Sequence, residues 1–220
     1  MGESIEFKRP DGQSCPGYVT GAAGAPGVVL IQEWWGLNDQ MKGLADRMAD
    51  AGFRALVPDL YRGKIAKDGD EANHMMGELN FLDAAEQDIQ GAVSFLGEAG
   101  TKVGVAGFCM GGALTLLSAV RVNGMTAGAC FYGIPPAAVA DPKTIKIPVQ
   151  CHFANIDDWC TPDAVNGLEA DFKAGGVNYE LFRYDAQHAF MNEKRPEVYD
   201  AACAKQAWDR AVDFFKRTLA

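Results

Sequence analysis

Short apolar runs that alternate with helical patterns constrain the fold of this 220-residue chain more than any other feature. Gly27 to Gln32 (GVVLIQ) is an apolar run with turn residues before it, which is typical of a strand buried on both faces. From Asp39 to Ala51 apolar residues recur at three- and four-residue intervals, and Gly52 follows where a helix stop is favoured. The same patterns predict strands at Phe53–Val57, Lys102–Ala106, Met125–Tyr132, Ile147–Phe153 and Tyr179–Tyr184, and helices at Asp83–Glu98, Met110–Val120, Pro162–Ala174 and Pro196–Leu219.

Such alternation predicts an α/β fold with a mostly parallel central sheet and helices on both faces, because parallel strands need helical crossover connections. The opening polar stretch receives no assignment, and the polar segment from Pro58 to about Asn80 reads as a loop with a short helix. No break rich in Pro, Gly or Ser divides the chain, so we expect one domain over residues 1–220.

The stretch KVGVAGFCMGGALTLL runs from a predicted strand through a tight turn directly into a helix. Gly107, Cys109 and Gly111 give the turn the form GxCxG, and small glycines let strand and helix approach closely. Such a turn presents its central side chain above the sheet, at a helix N-terminus that favours an anion. Cys109 is therefore a candidate nucleophile, although a small buried cysteine beside a tight turn is the structural alternative.

Acidic and histidine residues follow Cys109 in the order that α/β-hydrolases use, which is nucleophile, acid, histidine. Asp157 and Asp158 come soon after the predicted strand Ile147–Phe153, and His188 comes soon after Tyr179–Tyr184. Active sites of such sheets lie beyond the carboxyl ends of the strands. This order favours His188 as a catalytic base over a structural role.

Four blocks of the sequence resemble the dienelactone hydrolase (carboxymethylenebutenolidase) family of the α/β-hydrolase fold over nearly the whole chain. They are QEWWGLN at 32–38, PDLYRG at 58–63, GFCMGG at 107–112 and HAF at 188–190. The resemblance implies a fold without a large cap domain, a Cys-His-Asp triad without metal or cofactor, and hydrolysis of a small lactone or ester through an acyl-enzyme.

By this resemblance Cys109 is the nucleophile, His188 is the base, and an aspartate orients the imidazole. The family's acid usually precedes a proline by four positions, which ranks Asp158 first, while counting from the preceding strand favours Asp157. Glu33 directly follows a buried strand, where a charge is costly unless it is paired or functional. The family assigns this position a role in holding or deprotonating the cysteine.

Backbone N–H groups of Trp34 and Met110 are the expected oxyanion hole, one after the early strand and one after the nucleophile. Aromatic side chains near the predicted catalytic positions could line an apolar pocket or pack in the core. These are Trp34, Trp35, Phe108 and Trp159.

The family holds a substrate carboxylate with arginines, one after the PDLY block and one four residues beyond the histidine. Here no arginine occurs between Arg62 and Arg121, and Asn192 stands four residues beyond His188. Arg62 and Asn192 are therefore candidates for these contacts. Lys64, Lys194 and Arg195 are further candidates for the missing arginines, although a solvated surface charge is the more usual role of such residues. It stays open whether dienelactone itself is a substrate.

Composition excludes several other classes of protein. A formal net charge of -9 without a basic run argues against a nucleic-acid partner. The polar start and the lack of a long apolar stretch argue against export and membrane insertion. Six cysteines without CxxC spacing suit a reducing cytoplasm and suggest no metal site.

Two other functions remain open at the level of sequence. One is a thiol redox or ligand sensor in which Cys109 reacts without turnover. The other is an amidase or acyl-peptidase on the same fold. The sequence does not predict the oligomeric state.

Overall fold

The computed structural model describes residues 2–220, which form one eight-stranded sheet in the order β1-β2-β4-β3-β5-β6-β7-β8. From β4 through β8 neighbouring strands run parallel, while β2 runs antiparallel to both β1 and β4. The strands are β1 (Glu3–Lys8), β2 (Ser14–Thr20), β3 (Gly27–Ile31), β4 (Arg54–Pro58), β5 (Val103–Phe108), β6 (Met125–Phe131), β7 (Val149–Ile156) and β8 (Tyr179–Gln187).

Seven α-helices lie within residues 2–220, together with a short 3₁₀ turn at Pro142–Thr144. A π-helical segment, Ala84–Ile89, joins two of the helices into one continuous element. The helices are α1 (Asp39–Asp50), α2 (Gly69–Glu78), α3 (Phe81–Asp83), α4 (Gln90–Gly97), α5 (Met110–Arg121), α6 (Pro162–Gly175) and α7 (Ala201–Thr218).

The helices cover both faces of the sheet. On one face α1 and α7 pack buried side chains such as Met48 and Phe215 against the strands. On the other face α4 and α5 pack with residues such as Val29 and Val105, and α6 buries Phe172 in a neighbouring cluster. This arrangement confirms the predicted α/β fold with a mostly parallel sheet, and no segment within residues 2–220 forms a large cap domain.

The N-terminal hairpin is the main addition to the predicted elements. In β1 only Ile5 and Phe7 turn toward the protein, and the intervening residues are exposed. This alternation is typical of a strand at the edge of a sheet, where one face meets water. The closing helix also begins later than predicted, at Ala201 rather than Pro196. The Asp200 side chain caps the helix there by accepting a hydrogen bond from the backbone N–H of Cys203.

Strands β3, β5, β7 and β8 are parallel, so their carboxyl ends meet at one edge of the sheet. Glu33, Cys109, Asp157 and His188 each follow one of these strands within two residues. The topology therefore gathers these four residues although they are far apart in sequence.

In residues 2–220, no helix combines the length and the apolar character that crossing a membrane requires.

Candidate active site

Cys109 is the single residue between β5 and α5. Its backbone has φ 55° and ψ -116°, a conformation that residues other than glycine rarely adopt. The turn is tight because neighbouring backbone approaches it. A Cβ on Gly111 would lie 2.7 Å from the carbonyl oxygen of Gln32, so only glycine fits there. The backbone of the turn thus holds the Cys109 side chain out over the edge of the sheet, where it is partly exposed.

A continuous chain of hydrogen bonds runs from Cys109 through His188 to Asp157. The Sγ atom of Cys109 lies 3.1 Å from His188 Nε2, and His188 Nδ1 lies 2.7 Å from Asp157 Oδ2. The other oxygen of Asp157 accepts hydrogen bonds from the backbone N–H groups of Trp159 and Cys160, each at 2.8 Å. Both carboxylate oxygens are therefore occupied, which fixes the Asp157 side chain in one orientation.

Asp158, ranked first as the acid from the sequence, does not contact His188. Its side chain is exposed on the wall of the cavity, whereas the Asp157 side chain is fully buried. The Asp157 carboxylate turns inward because the backbone N–H groups of the two residues after Asp158 close a tight turn around it. The geometry therefore favours Asp157, and not Asp158, as the carboxylate that orients His188.

Electrostatics within this chain favour an imidazolium at His188. Burial alone would lower the pKa of His188, but its hydrogen bonds with Asp157 and Cys109 outweigh burial and raise the pKa to about 10. Burial acts to raise the pKa of Asp157, yet the His188 hydrogen bond and two backbone N–H donors keep it below its ordinary value. Burial raises the pKa of Cys109, and the hydrogen bond with His188 opposes that shift.

Glu33 is buried beside the predicted nucleophile without an arginine or lysine partner. Its two oxygens accept hydrogen bonds from the Tyr132 hydroxyl at 3.1 Å and from Asn192 Nδ2 at 2.6 Å. Burial raises the pKa of Glu33, and these two donors only partly counteract the shift. The carboxyl group is therefore held in place by neutral donors.

The cavity next to Cys109 has a volume of about 350 Å³. Its wall includes Trp34, Trp35 and Trp159, so three of the aromatic residues expected near the site contribute to it. The remaining lining residues are Glu33, Met76, Cys109, Ile156, Asp158, Gln187, His188, Ala189, Arg195 and Val198.

Three residues predicted to contact substrate do not line this cavity. Phe108 is buried and stacks on Phe131, with ring centroids 4.6 Å apart, because its strand position points it into the core. Arg62 bonds to Asp88 at 2.7 Å, since the turn after β4 directs it toward β2. Asn192 is buried behind Glu33, to which it donates. The positions of these three residues therefore do not favour the predicted direct contact with a substrate in this cavity.

Trp34 and Met110 occupy the positions that the sequence predicted for the oxyanion hole. Met110 is the first residue of α5 and directly follows Cys109. Trp34 follows β3, which is the direct neighbour of β5. Because Gly111 packs against the end of β3, the loop that carries Trp34 lies beside the turn that carries Cys109.

Tyr132 is the main site residue that sequence reasoning missed. It follows β6 with a positive φ of 38°, donates to Glu33, and meets the His188 ring edge to face with centroids 5.1 Å apart. Its place at a strand end before Gly133 was a usable signal.

Within residues 2–220, no group of three or more His, Cys, Asp or Glu side chains is arranged to hold a metal ion.

Comparison with known proteins agrees with this architecture. Residues 15–219 match the model of the Dienelactone hydrolase family. "Protein usf" of Aquifex pyrophilus is 37% identical, and a "Putative carboxymethylenebutenolidase" of Aquifex aeolicus is 35% identical, each over 100% of both chains. The crystal structure of a putative dienelactone hydrolase from Klebsiella pneumoniae superimposes with a TM-score of 0.85 at 22% identity, covering 98% of this chain and 99% of that one.

The fold and the match over residues 15–219 define the class of protein as an α/β-hydrolase. The chain belongs to the dienelactone hydrolase family, whose members hydrolyse carboxylic esters and lactones. The resemblance inferred from the four sequence blocks is thereby confirmed, as is the expectation of an ester or lactone hydrolase that acts on a small molecule.

Proposed function

We propose that this protein hydrolyses a small lactone or carboxylic ester with Cys109 as its nucleophile, through an acyl-enzyme intermediate. The observation that carries the proposal is the unbroken chain of hydrogen bonds, 3.1 Å from Cys109 to His188 and 2.7 Å from His188 to Asp157. Side chains from three separate loops meet at distances that permit proton transfer, beside a cavity of about 350 Å³.

In the first half of the reaction the Cys109 sulfur attacks the carbonyl carbon of the substrate as a thiolate, whose proton has passed to His188 Nε2 and forms the imidazolium that the site favours. Asp157 stabilises the imidazolium and holds its ring in position. The tetrahedral oxyanion accepts hydrogen bonds from the backbone N–H groups of Met110 and Trp34. Collapse of this intermediate expels the alcohol, which takes the proton from His188 and leaves a thioester on Cys109.

In the second half His188 accepts a proton from water as the water oxygen attacks the thioester carbon. Collapse then breaks the C–S bond, releases the carboxylic acid and returns the proton to the sulfur. Glu33 and its two donors lie beside the nucleophile, where a carboxylate raises the pKa of Cys109 and opposes the thiolate. We assign Glu33 to the control of Cys109 protonation.

The test compares the wild type with Cys109→Ala, using p-nitrophenyl acetate under single-turnover and steady-state conditions. We expect a burst of about one p-nitrophenolate per active site, a thioester on the Cys109 peptide by mass spectrometry, and loss of both in the variant. Cys203→Ala is the matched control, because Cys203 is the other partly exposed cysteine and lies on α7 away from the cavity.

Hydrolysis that survives Cys109→Ala would exclude Cys109 as the nucleophile. Acetylation of Cys109 without turnover, on this ester and on a lactone, would instead favour a thiol sensor. An amide cleaved as fast as the ester of the same acyl group would move the proposal to an amidase.

A further inference from the structure

Three tryptophan side chains form a connected aromatic row along the cavity. The ring of Trp34 meets Trp35 at a centroid distance of 5.4 Å and Trp159 at 5.8 Å, both edge to face. At the rim Trp159 is 63% exposed and Ile156 is 66% exposed, although large apolar side chains are normally covered. An apolar group of a bound ligand would cover this row and this rim.

Charged groups in the same cavity are unsuited to an anionic ligand. Glu33 and Asp158 line it, and Asp158 forms no ion pair with any residue in the range 2–220. Arg195 is the one lysine or arginine among the lining residues, and its Nε donates to Glu197 at 2.7 Å. The Arg195 guanidinium also lies 5.7 Å from the Trp35 ring centroid. Its charge is thus already partly neutralised.

A ligand carboxylate would lose water on entering the cavity, where both cationic side chains already have carboxylate partners: His188 pairs with Asp157, and Arg195 with Glu197. It would also approach Asp158, which pairs with no cation among residues 2–220. Both effects weaken binding, since a desolvated charge needs a partner and like charges repel. An uncharged ester loses little by the same transfer and gains by covering the tryptophans. The lining of the cavity therefore discriminates by charge as well as by size.

We propose that the substrate of this site is an uncharged ester or lactone whose apolar part packs on Trp34, Trp35 and Trp159, and that Asp158 selects against carboxylate-bearing substrates. This inference rests on the proposed function, because it concerns the substrate of the same nucleophile. It assigns Asp158 a role in specificity in place of the catalytic role ranked first from the sequence.

The experiment measures kcat/KM for two matched pairs of substrates at low ionic strength, each normalised to alkaline hydrolysis. In the first pair the alcohol part differs (3-acetoxybenzamide and 3-acetoxybenzoate). In the second the acyl part differs (the p-nitrophenyl esters of 5-carbamoylpentanoate and 5-carboxypentanoate). We expect the uncharged member to be favoured about tenfold in both pairs. A preference below threefold, or for the carboxylate, in either pair overturns the proposal.

Asp158→Asn tests the named residue. It is expected to reduce the discrimination about threefold at low ionic strength and less at 0.5 M salt, because an exposed charge is screened. Asp163→Asn is the matched control, since Asp163 is an exposed aspartate of α6 that does not line the cavity. Equal changes in both variants would mean that overall charge, and not Asp158, sets the preference.

Arg195→Met tests the opposite arrangement. If Arg195 were a receptor for substrate carboxylates, the variant would lower kcat/KM for 3-acetoxybenzoate far more than for 3-acetoxybenzamide, and the proposal would fail. We expect both substrates to change by similar factors.

Trp159→Ala tests the aromatic row, because the backbone N–H of residue 159 still bonds to Asp157 after the side chain is removed. We expect kcat/KM to fall about tenfold more for 1-naphthyl acetate than for ethyl acetate. Equal losses would overturn the role of Trp159.

Failure of this inference is separable from failure of the proposed function. A wild-type protein that hydrolyses p-nitrophenyl acetate through Cys109 but prefers the carboxylates would retain the function and overturn only the specificity. A protein that turns over none of these esters would overturn the function itself.

Discussion

Two histidines in this molecule, one fully buried in the sheet and one partly exposed in the cavity, make two hydrogen bonds each, yet their pKa values are shifted in opposite directions. His188, beyond the carboxyl end of β8, bonds with the Asp157 carboxylate and the Cys109 sulfur, and these raise its pKa to about 10. His152, within β7, bonds with the Tyr184 hydroxyl at 2.8 Å and Gln150 Oε1 at 2.9 Å, and burial lowers its pKa to about 3.

The number of hydrogen bonds is the same, so the difference arises from burial and from the charge of the neighbouring groups. His152 is fully buried, and the nearby Arg210 lowers its pKa further. Neutral groups satisfy the nitrogens of His152 without compensating an imidazolium for its lost hydration, so the neutral ring is stable there. A carboxylate beside His188 provides that compensation. The sheet therefore carries one histidine suited to hold a proton during a reaction and one that fixes the packing between β6 and β8.

The largest expected effect comes from giving His188 a neutral partner like those of His152. Asp157→Asn replaces the carboxylate with an amide, which permits the wrong ring tautomer and leaves the imidazolium unstabilised. We expect kcat for p-nitrophenyl acetate to fall about 10³- to 10⁴-fold. Asp158→Asn, which removes an adjacent carboxylate without a contact to His188, is expected to change this rate by no more than a few-fold. Equal losses in the two variants would contradict the assignment of Asp157.

The second prediction concerns how the free energy of unfolding depends on pH through the titration of His152. Its folded pKa of about 3 lies below the ordinary 6.5, so between these values the unfolded chain binds more protons. The stabilisation from the neutral ring is complete above about pH 6.5 and is lost as the pH falls toward 3. From pH 7 to pH 5 this group removes about 2 kcal/mol from the free energy of unfolding.

His152→Gln keeps a neutral hydrogen-bonding side chain that does not titrate in this range. Urea unfolding at pH 7 and pH 5 is therefore expected to show a loss about 2 kcal/mol smaller in the variant than in the wild type. Carboxyl groups that titrate at lower pH are common to both proteins and cancel in this difference. An equal loss in both proteins would show that His152 does not remain neutral in the fold.

The smallest effect is expected from Tyr184→Phe, which removes one neutral partner of His152. The hydroxyl also accepts a hydrogen bond from Arg210 Nη1 at 3.0 Å, so two groups lose a partner. We expect the free energy of unfolding to fall by about 1 to 2 kcal/mol, with kcat for p-nitrophenyl acetate within twofold of the wild type. A large loss of kcat at full stability would link this cluster to the reaction and weaken the contrast between the two histidines.

Most of the fold could be predicted because each central element carries a local signature. The buried strands β3 and β5 are continuous apolar runs, and α1 repeats apolar residues with a glycine after its end. Strand β1 was missed because an edge strand is half exposed and buries only alternate residues, which leaves a polar sequence. Strand β2 is mostly buried, but Pro16 and Gly17 interrupt its strand pattern. The predicted start of α7 was too early because proline at 196 is typical of a first helical turn, whereas the helix begins after its cap at Asp200.

The candidate site was predictable where a residue lies in a constrained backbone motif. Cys109 stands in a turn that needs glycines on both sides, and His188 follows a strand in the expected order. Asp157 and Asp158 are chemically identical neighbours, so no local pattern separates them. Tyr132 and Arg195 reach the site region from loops, and Ile156 reaches it from the end of β7. Their positions depend on packing, and sequence spacing carries little information about them.

The sequence by itself determined the class of fold, the position of the proposed nucleophile and the order of the predicted catalytic residues, because periodicity and turn chemistry are local properties of the chain. The tertiary structure decided which carboxylate meets His188, which tryptophans face the cavity, and that Arg62 and Asn192 bond elsewhere. Those outcomes depend on the direction of each side chain and on the groups brought near it by other strands. Proximity of this kind is set by the folded sheet as a whole, and hydrogen bonds, burial and charge then fix the chemistry of each residue.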